Sequence, residues 1–148
     1  MKKLAIIAIL ATATGLASAA DIGARFEHNS GNDTSGFGVT VGQKFGAVGV
    51  EAAVDRSAVA SRDVNRYSLV GSYDLTKVYG VTVAAKAGVA FVDALGQKHG
   101  GALLGGVGVS YPVTKKISLV ADYAYQQGQE RVSEWNGNTV SAGLKYSF

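Results

Sequence analysis

Residues 140–148 read VSAGLKYSF. Val140, Ala142, Leu144, Tyr146 and Phe148 are apolar, whereas Ser141, Gly143, Lys145 and Ser147 between them are small or polar. A period of two is the mark of a β-strand with two unlike faces. The same alternation recurs upstream in seven further segments, near 21–28, 36–45, 48–56, 66–75, 81–92, 102–113 and 117–126, so that 139–148 is the eighth. The sequence therefore predicts an all-β protein of eight antiparallel strands.

The two faces differ in a way that decides which one points inward. One parity carries Val, Leu, Ile and aromatic residues, for example Val81, Val83, Val89 and Phe91 in the fifth segment. The opposite parity is dominated by Gly, Ala and Ser, including Gly38, Gly42, Ser68, Ser72, Gly88, Gly106, Gly108, Ser141 and Gly143. A water-facing surface is normally rich in Lys, Glu and Asp. Small residues instead suit a cramped interior, and an eight-stranded barrel is only just wide enough to be filled by side chains. The expected arrangement is an up-and-down transmembrane β-barrel with its apolar face toward lipid.

The connections agree with this reading. Those near 46–47, 76–80 and 114–116 are short, and those near 29–35, 57–65, 93–101 and 127–138 are longer and polar. Short turns at one end and longer loops at the other are the plan of an outer-membrane barrel. The bilayer core offers no partner for an open sheet edge, so the last strand should pair with the first.

Apart from Tyr79 and Trp135, every aromatic residue falls within a proposed strand on the apolar parity, and these residues sort by height. Phe26, Phe37, Tyr67, Phe91, Tyr123 and Tyr125 lie toward the long loops as an outer girdle. Phe45, Tyr73 and Tyr111, with Tyr146 and Phe148, lie toward the short turns as an inner girdle. Two aromatic bands around an aliphatic zone match the two membrane interfaces.

The first residues, MKKLAIIAILATATGLASA, hold Lys2 and Lys3, an apolar stretch from Leu4, and Ala17-Ser18-Ala19 as a small-residue cleavage site. This pattern reads as a secretory signal peptide over 1–19, leaving 20–148 as the barrel domain. Without the two leader lysines the formal charge of +3 falls to +1, which gives no reason to expect nucleic acid as a partner. The chain has no cysteine, so no disulfide supports the exported domain.

With these features in place, the chain resembles the small bacterial outer-membrane barrels: the OmpA transmembrane domain, OmpX, neisserial surface protein A and the opacity-like antigens. The resemblance is sharpest over 105–148, in GVGVSYPVTKKISLVADYAY and the terminal VSAGLKYSF. It implies a Gram-negative outer-membrane location, with surrounding lipid and lipopolysaccharide as partners. It also implies that Tyr146 and Phe148 serve as the recognition signal for the barrel-assembly machinery.

Six charged residues share the inward parity: Arg25, Glu27, Glu51, Lys86, Asp122 and Lys145. Buried charges persist only when paired, so these are expected to form a polar network that plugs the lumen. The alternative use of such a network is a gated ion path. Pairing of the first and last strands would set Lys145 near Glu27 or Arg25.

A structural or surface-exposed role without catalysis, cofactor or metal follows most directly. Two alternatives remain open. Outer loops could bind an extracellular ligand, as in an adhesin or surface antigen; the fourth holds Trp135 with Glu130, Arg131 and Glu134, and an exposed Trp can anchor a partner or rest on lipid headgroups. Arg62 and Arg66 near the second loop could neutralise lipopolysaccharide phosphates. The other alternative is a lipid A deacylase-type hydrolase, in which His28 acts as base on the Ser30 nucleophile two residues along. His28 and His99 lack a third ligand and are not read as a metal site.

Overall fold

The computed structural model describes residues 20–31, 33–59, 62–94, 98–128 and 136–148. The proposed signal peptide and the central part of the fourth loop, including Glu130, Arg131, Glu134 and Trp135, lie outside the described residues.

Eight strands follow one another: β1 (Ala20–Asn29), β2 (Thr34–Phe45), β3 (Val48–Val59), β4 (Arg62–Val78), β5 (Val81–Ala94), β6 (Lys98–Pro112), β7 (Ile117–Gly128) and β8 (Gly137–Ser147). Each pairs antiparallel with its neighbours in sequence, and β1 pairs with β8, so the sheet is a closed barrel. The seam sets Ile22 opposite Tyr146, Ala24 opposite Leu144 and Phe26 opposite Ala142. Phe148 N–H donates to the Ala20 carbonyl at 3.1 Å and extends the seam by one residue.

At the short-turn end, chain reversal rests on residue choice. Tyr79 and Gly80 both have positive φ, 49° and 85°, as a two-residue hairpin of the right twist requires. In the third turn the Thr114 hydroxyl accepts from Ile117 N–H at 2.9 Å and Lys116 N–H at 3.2 Å, which satisfies amides the ladder leaves over.

Three expectations about the connections change, the loop expected over 93–101 among them, because β5 runs to Ala94 and β6 begins at Lys98. The short turn expected over 76–80 is only Tyr79-Gly80, because β4 continues to Val78. Its register shifts between Asp74 and Thr76, leaving Leu75 without an opposite residue; such a bulge obscures the alternation there. At the other end, β3 runs to Val59 and β4 begins at Arg62, within the stretch 57–65 expected to be loop. The ladder propagates past the end of the alternation because its bonds are backbone bonds, which need no apolar side chain on one face.

Candidate functional site

Polarity is inverted relative to a water-soluble barrel. Outward positions expose Phe37 at 72%, Leu103 at 63% and Val39 at 58%. Among the described residues, the buried set is mostly polar, including Glu27, Thr40, Glu51, Asp55, Arg66, Ser68, Gln126, Thr139 and Ser141. The apolar residues buried with them are Ala and Val, such as Ala90, Val92 and Ala102.

Asp55, Arg25 and Arg66 form the centre of the half nearer the long loops. Arg25 presents two parallel donors to Asp55, Nε to Oδ1 at 2.8 Å and Nη2 to Oδ2 at 2.7 Å. A bidentate fork of this kind is among the stronger charge-assisted pairings. Arg66 donates to the same carboxylate from Nε and Nη2, at 3.3 and 3.1 Å. It also reaches Glu27 through Nη2 and the Gln126 side-chain carbonyl through Nη1 at 3.1 Å. Arg25 further pairs with Glu51 at 3.4 Å. Asp55 is 1% exposed, and Gln126 and Val92 are fully buried, so this layer is shielded from solvent.

The half nearer the short turns is more open. Lys86 pairs with Asp122 at 2.6 Å, and Lys145 pairs with Glu51 and lies 3.7 Å from Asp21. Lys44 meets Asp74 at 2.5 Å near the rim. These residues surround a cavity of about 320 Å³, lined also by Ser72, Ala84 and Lys77.

Glycine makes the long reach of these pairs possible. Arg25 on β1 and Asp55 on β3 are both register partners of Gly38 on the strand between them. A Cβ on Gly38 would overlap the Asp55 carboxylate. Likewise, a Cβ on Gly108 of β6 would collide with Lys86 of β5 and Asp122 of β7, which meet across it. Arg25–Asp55 and Lys86–Asp122 thus bridge strands two apart over a residue with no side chain.

Arg25, Glu27, Glu51, Lys86, Asp122 and Lys145 all lie inside the barrel. Asp21, Asp55 and Arg66 join them and were missed by the sequence reading. The signal was present, since Asp55 lies two residues from Ala53 on the inward parity. Arg66 is a correction: it was expected near the second loop, facing lipopolysaccharide phosphates, but it is buried against Glu27, Asp55 and Gln126, because β4 begins four residues earlier than expected. Lys145 is also placed differently, opposite Gly23 and reaching Glu51 rather than Glu27 or Arg25.

The outer-girdle residues Phe26, Phe37, Phe91, Tyr123 and Tyr125 are exposed on the barrel's outside, and Tyr67 is half-buried beside Phe91. Phe26 and Phe37 pack edge to face at 5.2 Å. At the opposite end Phe45, Tyr73 and Tyr111 are exposed. Tyr146 and Phe148 form a second edge-to-face pair at 5.3 Å, and Lys116 Nζ sits 5.5 Å from the Tyr146 ring centroid.

His28 and Ser30 take different partners. His28 Nδ1 is 3.0 Å from the Ser35 hydroxyl, its cross-strand neighbour, and Nε2 is 3.8 Å from Asp33. The Ser30 hydroxyl donates to the Asn138 carbonyl at 3.1 Å and accepts from its N–H at 3.2 Å. No group of three or more His, Cys, Asp or Glu among the described residues could hold a metal ion.

No protein-family model matches the chain, and no curated protein matches it in sequence. Solved structures do match. The N-terminal β-barrel domain of Pseudomonas aeruginosa OprF is 19% identical with a TM-score of 0.69, covering 88% of this chain and 98% of that one. The Yersinia pestis outer membrane protein Ail, in a phospholipid bilayer nanodisc, is 15% identical with a TM-score of 0.59, covering 89% of this chain and 100% of that one. Neisserial surface protein A is 24% identical with a TM-score of 0.50, covering 88% of this chain and 95% of that one. At these identities the likeness is one of fold: the chain has the closed eight-stranded antiparallel barrel of these outer-membrane proteins.

Proposed function

We propose that this chain is an integral protein of the bacterial outer membrane with a structural or surface-exposed, non-catalytic role, its lumen closed by the interior ion pairs. The observation that carries the reading is the inverted polarity. Phe37, Val39, Leu103 and Leu119 face outward while Glu27, Asp55 and Arg66 are buried. Contiguous apolar surface of this extent is unstable in water and is what a transmembrane barrel presents to lipid. The fold shared with OprF, Ail and neisserial surface protein A supports the same location.

Closure is supported by burial. A charged pair taken out of water needs close partners on every side, and Asp55 has them in Arg25 and Arg66. Tyr146 and Phe148 stand outward at the end of the last strand, which supports their reading as the signal for the barrel-assembly machinery.

The test is gel migration of the membrane fraction before and after boiling, combined with protease applied to intact cells. A compact species that shifts on boiling and is cut only beside the long loops supports the proposal. A chain recovered in the soluble fraction with no such shift overturns it.

A further inference from the structure

The cavity at the short-turn end of the lumen encloses about 320 Å³. That is the room of about ten water molecules and the lower end of the range for small-molecule sites. Four lysines line it, Lys44, Lys77, Lys86 and Lys145, and so do four carboxylates, Asp21, Glu51, Asp74 and Asp122.

Most of these charges answer one another. Lys44 meets Asp74 at 2.5 Å, Lys86 meets Asp122 at 2.6 Å, and Lys145 meets Glu51. One of each sign is left over. Lys77 makes no ion pair among the described residues. Asp21 Oδ1 is buried and accepts no hydrogen bond among them. Lys145 Nζ, 3.7 Å from that oxygen, is beyond hydrogen-bond reach and is committed to Glu51. A carboxylate oxygen withdrawn from water is costly without a donor. The cavity therefore presents an acceptor that lacks a donor and a cation that lacks an anion.

The two groups approach the cavity from different sides. Asp21 lies on β1 against Gly42, and Lys77 lies on β4 opposite Thr82. These strands are three spacings apart along the wall, about 14 Å, and both side chains line the space between. A solute a few bonds long with a charge at each end spans what remains.

We infer that this cavity binds a small zwitterion of amino-acid or dipeptide size, its ammonium on Asp21 and its carboxylate on Lys77. A solute of one sign would leave the other group unmatched. Ser72, Thr82 and Ser147 add neutral hydroxyls along the same wall. The site goes beyond the membrane reading and needs no path through the barrel; that reading only sets which compartment supplies the solute.

The test is an NMR titration of the detergent-solubilised full chain, read at the amides of Gly42, Ser72 and Ser147. The probes are glycylglycine, N-acetylglycylglycine and glycylglycine amide, which carry both charges, the negative one alone and the positive one alone. Glycylglycine should saturate at a concentration about tenfold lower than either blocked form, the ratio a charge-assisted hydrogen bond supplies. Lys77→Gln should bring glycylglycine down to the level of its amide, and Asp21→Asn to that of the acetylated form. Lys115→Gln, in the third turn and outside the cavity, should leave the titration unchanged. The three-probe comparison on the wild type decides the proposal even where a variant fails to fold. No shift with any probe, equal saturation by all three, or wild-type affinity in both cavity variants overturns the site and leaves the barrel standing. A chain that stays dissolved without detergent overturns the membrane reading alone, since the titration is decided by the cavity.

Discussion

Arg25 and Asp55 meet at 2.7 Å across an intervening strand, with only Gly38 between them. Asp55 simultaneously holds Arg66 at 3.1 Å. One buried carboxylate thus ties β1, β3 and β4 together in the half nearer the long loops.

Removing that carboxylate should be costly. Asp55→Ala leaves two guanidinium groups short of a partner in a dry interior, and breaking a buried pair from one side destabilises by about 3–5 kcal/mol. Urea unfolding of the barrel in phosphatidylcholine vesicles measures this directly. A loss below about 1 kcal/mol, the range of solvent-exposed pairs, would mean the lattice is hydrated.

Gly38 makes a separate prediction. Gly38→Val places branched atoms where the Arg25 fork crosses to Asp55. Overpacking of this kind costs about 1–3 kcal/mol, and loss of the bridge adds to it. Ala52→Val, which adds bulk on the outward parity, should change stability by less than about 0.5 kcal/mol. The same unfolding experiment distinguishes them.

The strands were legible in the sequence because lipid outside and a filled lumen inside impose opposite demands on alternate residues. Strand closure followed from the bilayer's refusal of open edges. What the alternation hid lies where those demands lapse. At Asp74–Thr76 a bulge breaks the period, and beyond Arg56 the sequence loses its apolar/polar alternation although pairing continues to Val59 and Arg62. Arg66 was misplaced for that reason. The ion-pair partners were hidden by a different cause: which charges meet depends on register across three strands and on where glycine leaves room, as with Lys145 and Glu51 across β1 and β2.

The seal and the cavity predict different permeabilities. If the proposed closure holds, alanine at Asp55 or Arg66 should raise single-channel conductance in planar bilayers, because it removes one side of the buried Arg66–Asp55 pairing. Lys86→Ala should leave conductance unchanged, since Lys86 lines the open cavity below that layer. The cysteine-free chain allows a parallel check: Ser72→Cys should react with a small water-soluble thiol reagent, and Ala90→Cys, at a 5% exposed position, should be protected. Conductance appearing with Lys86→Ala but not Arg66→Ala would put the barrier elsewhere.

Phe148 is 72% exposed and contributes to the fold chiefly through one backbone bond to Ala20 and its contact with Tyr146. Phe148→Ala should therefore refold in detergent about as well as the wild type while reaching the outer membrane of cells in reduced amount. Equal loss in both assays would assign the residue to stability instead of assembly.

The inverted polarity is tested most directly by a nitroxide scan along β5, one cysteine at a time from Ala84 to Phe91, in phosphatidylcholine bilayers. Oxygen, which concentrates in lipid, should relax labels at Ala85, Ala87, Val89 and Phe91, and should leave those at Ala84, Lys86, Gly88 and Ala90 little affected. Oxygen accessibility that is uniform along the strand, or highest at the Lys86 parity, would contradict an apolar exterior around a charged interior.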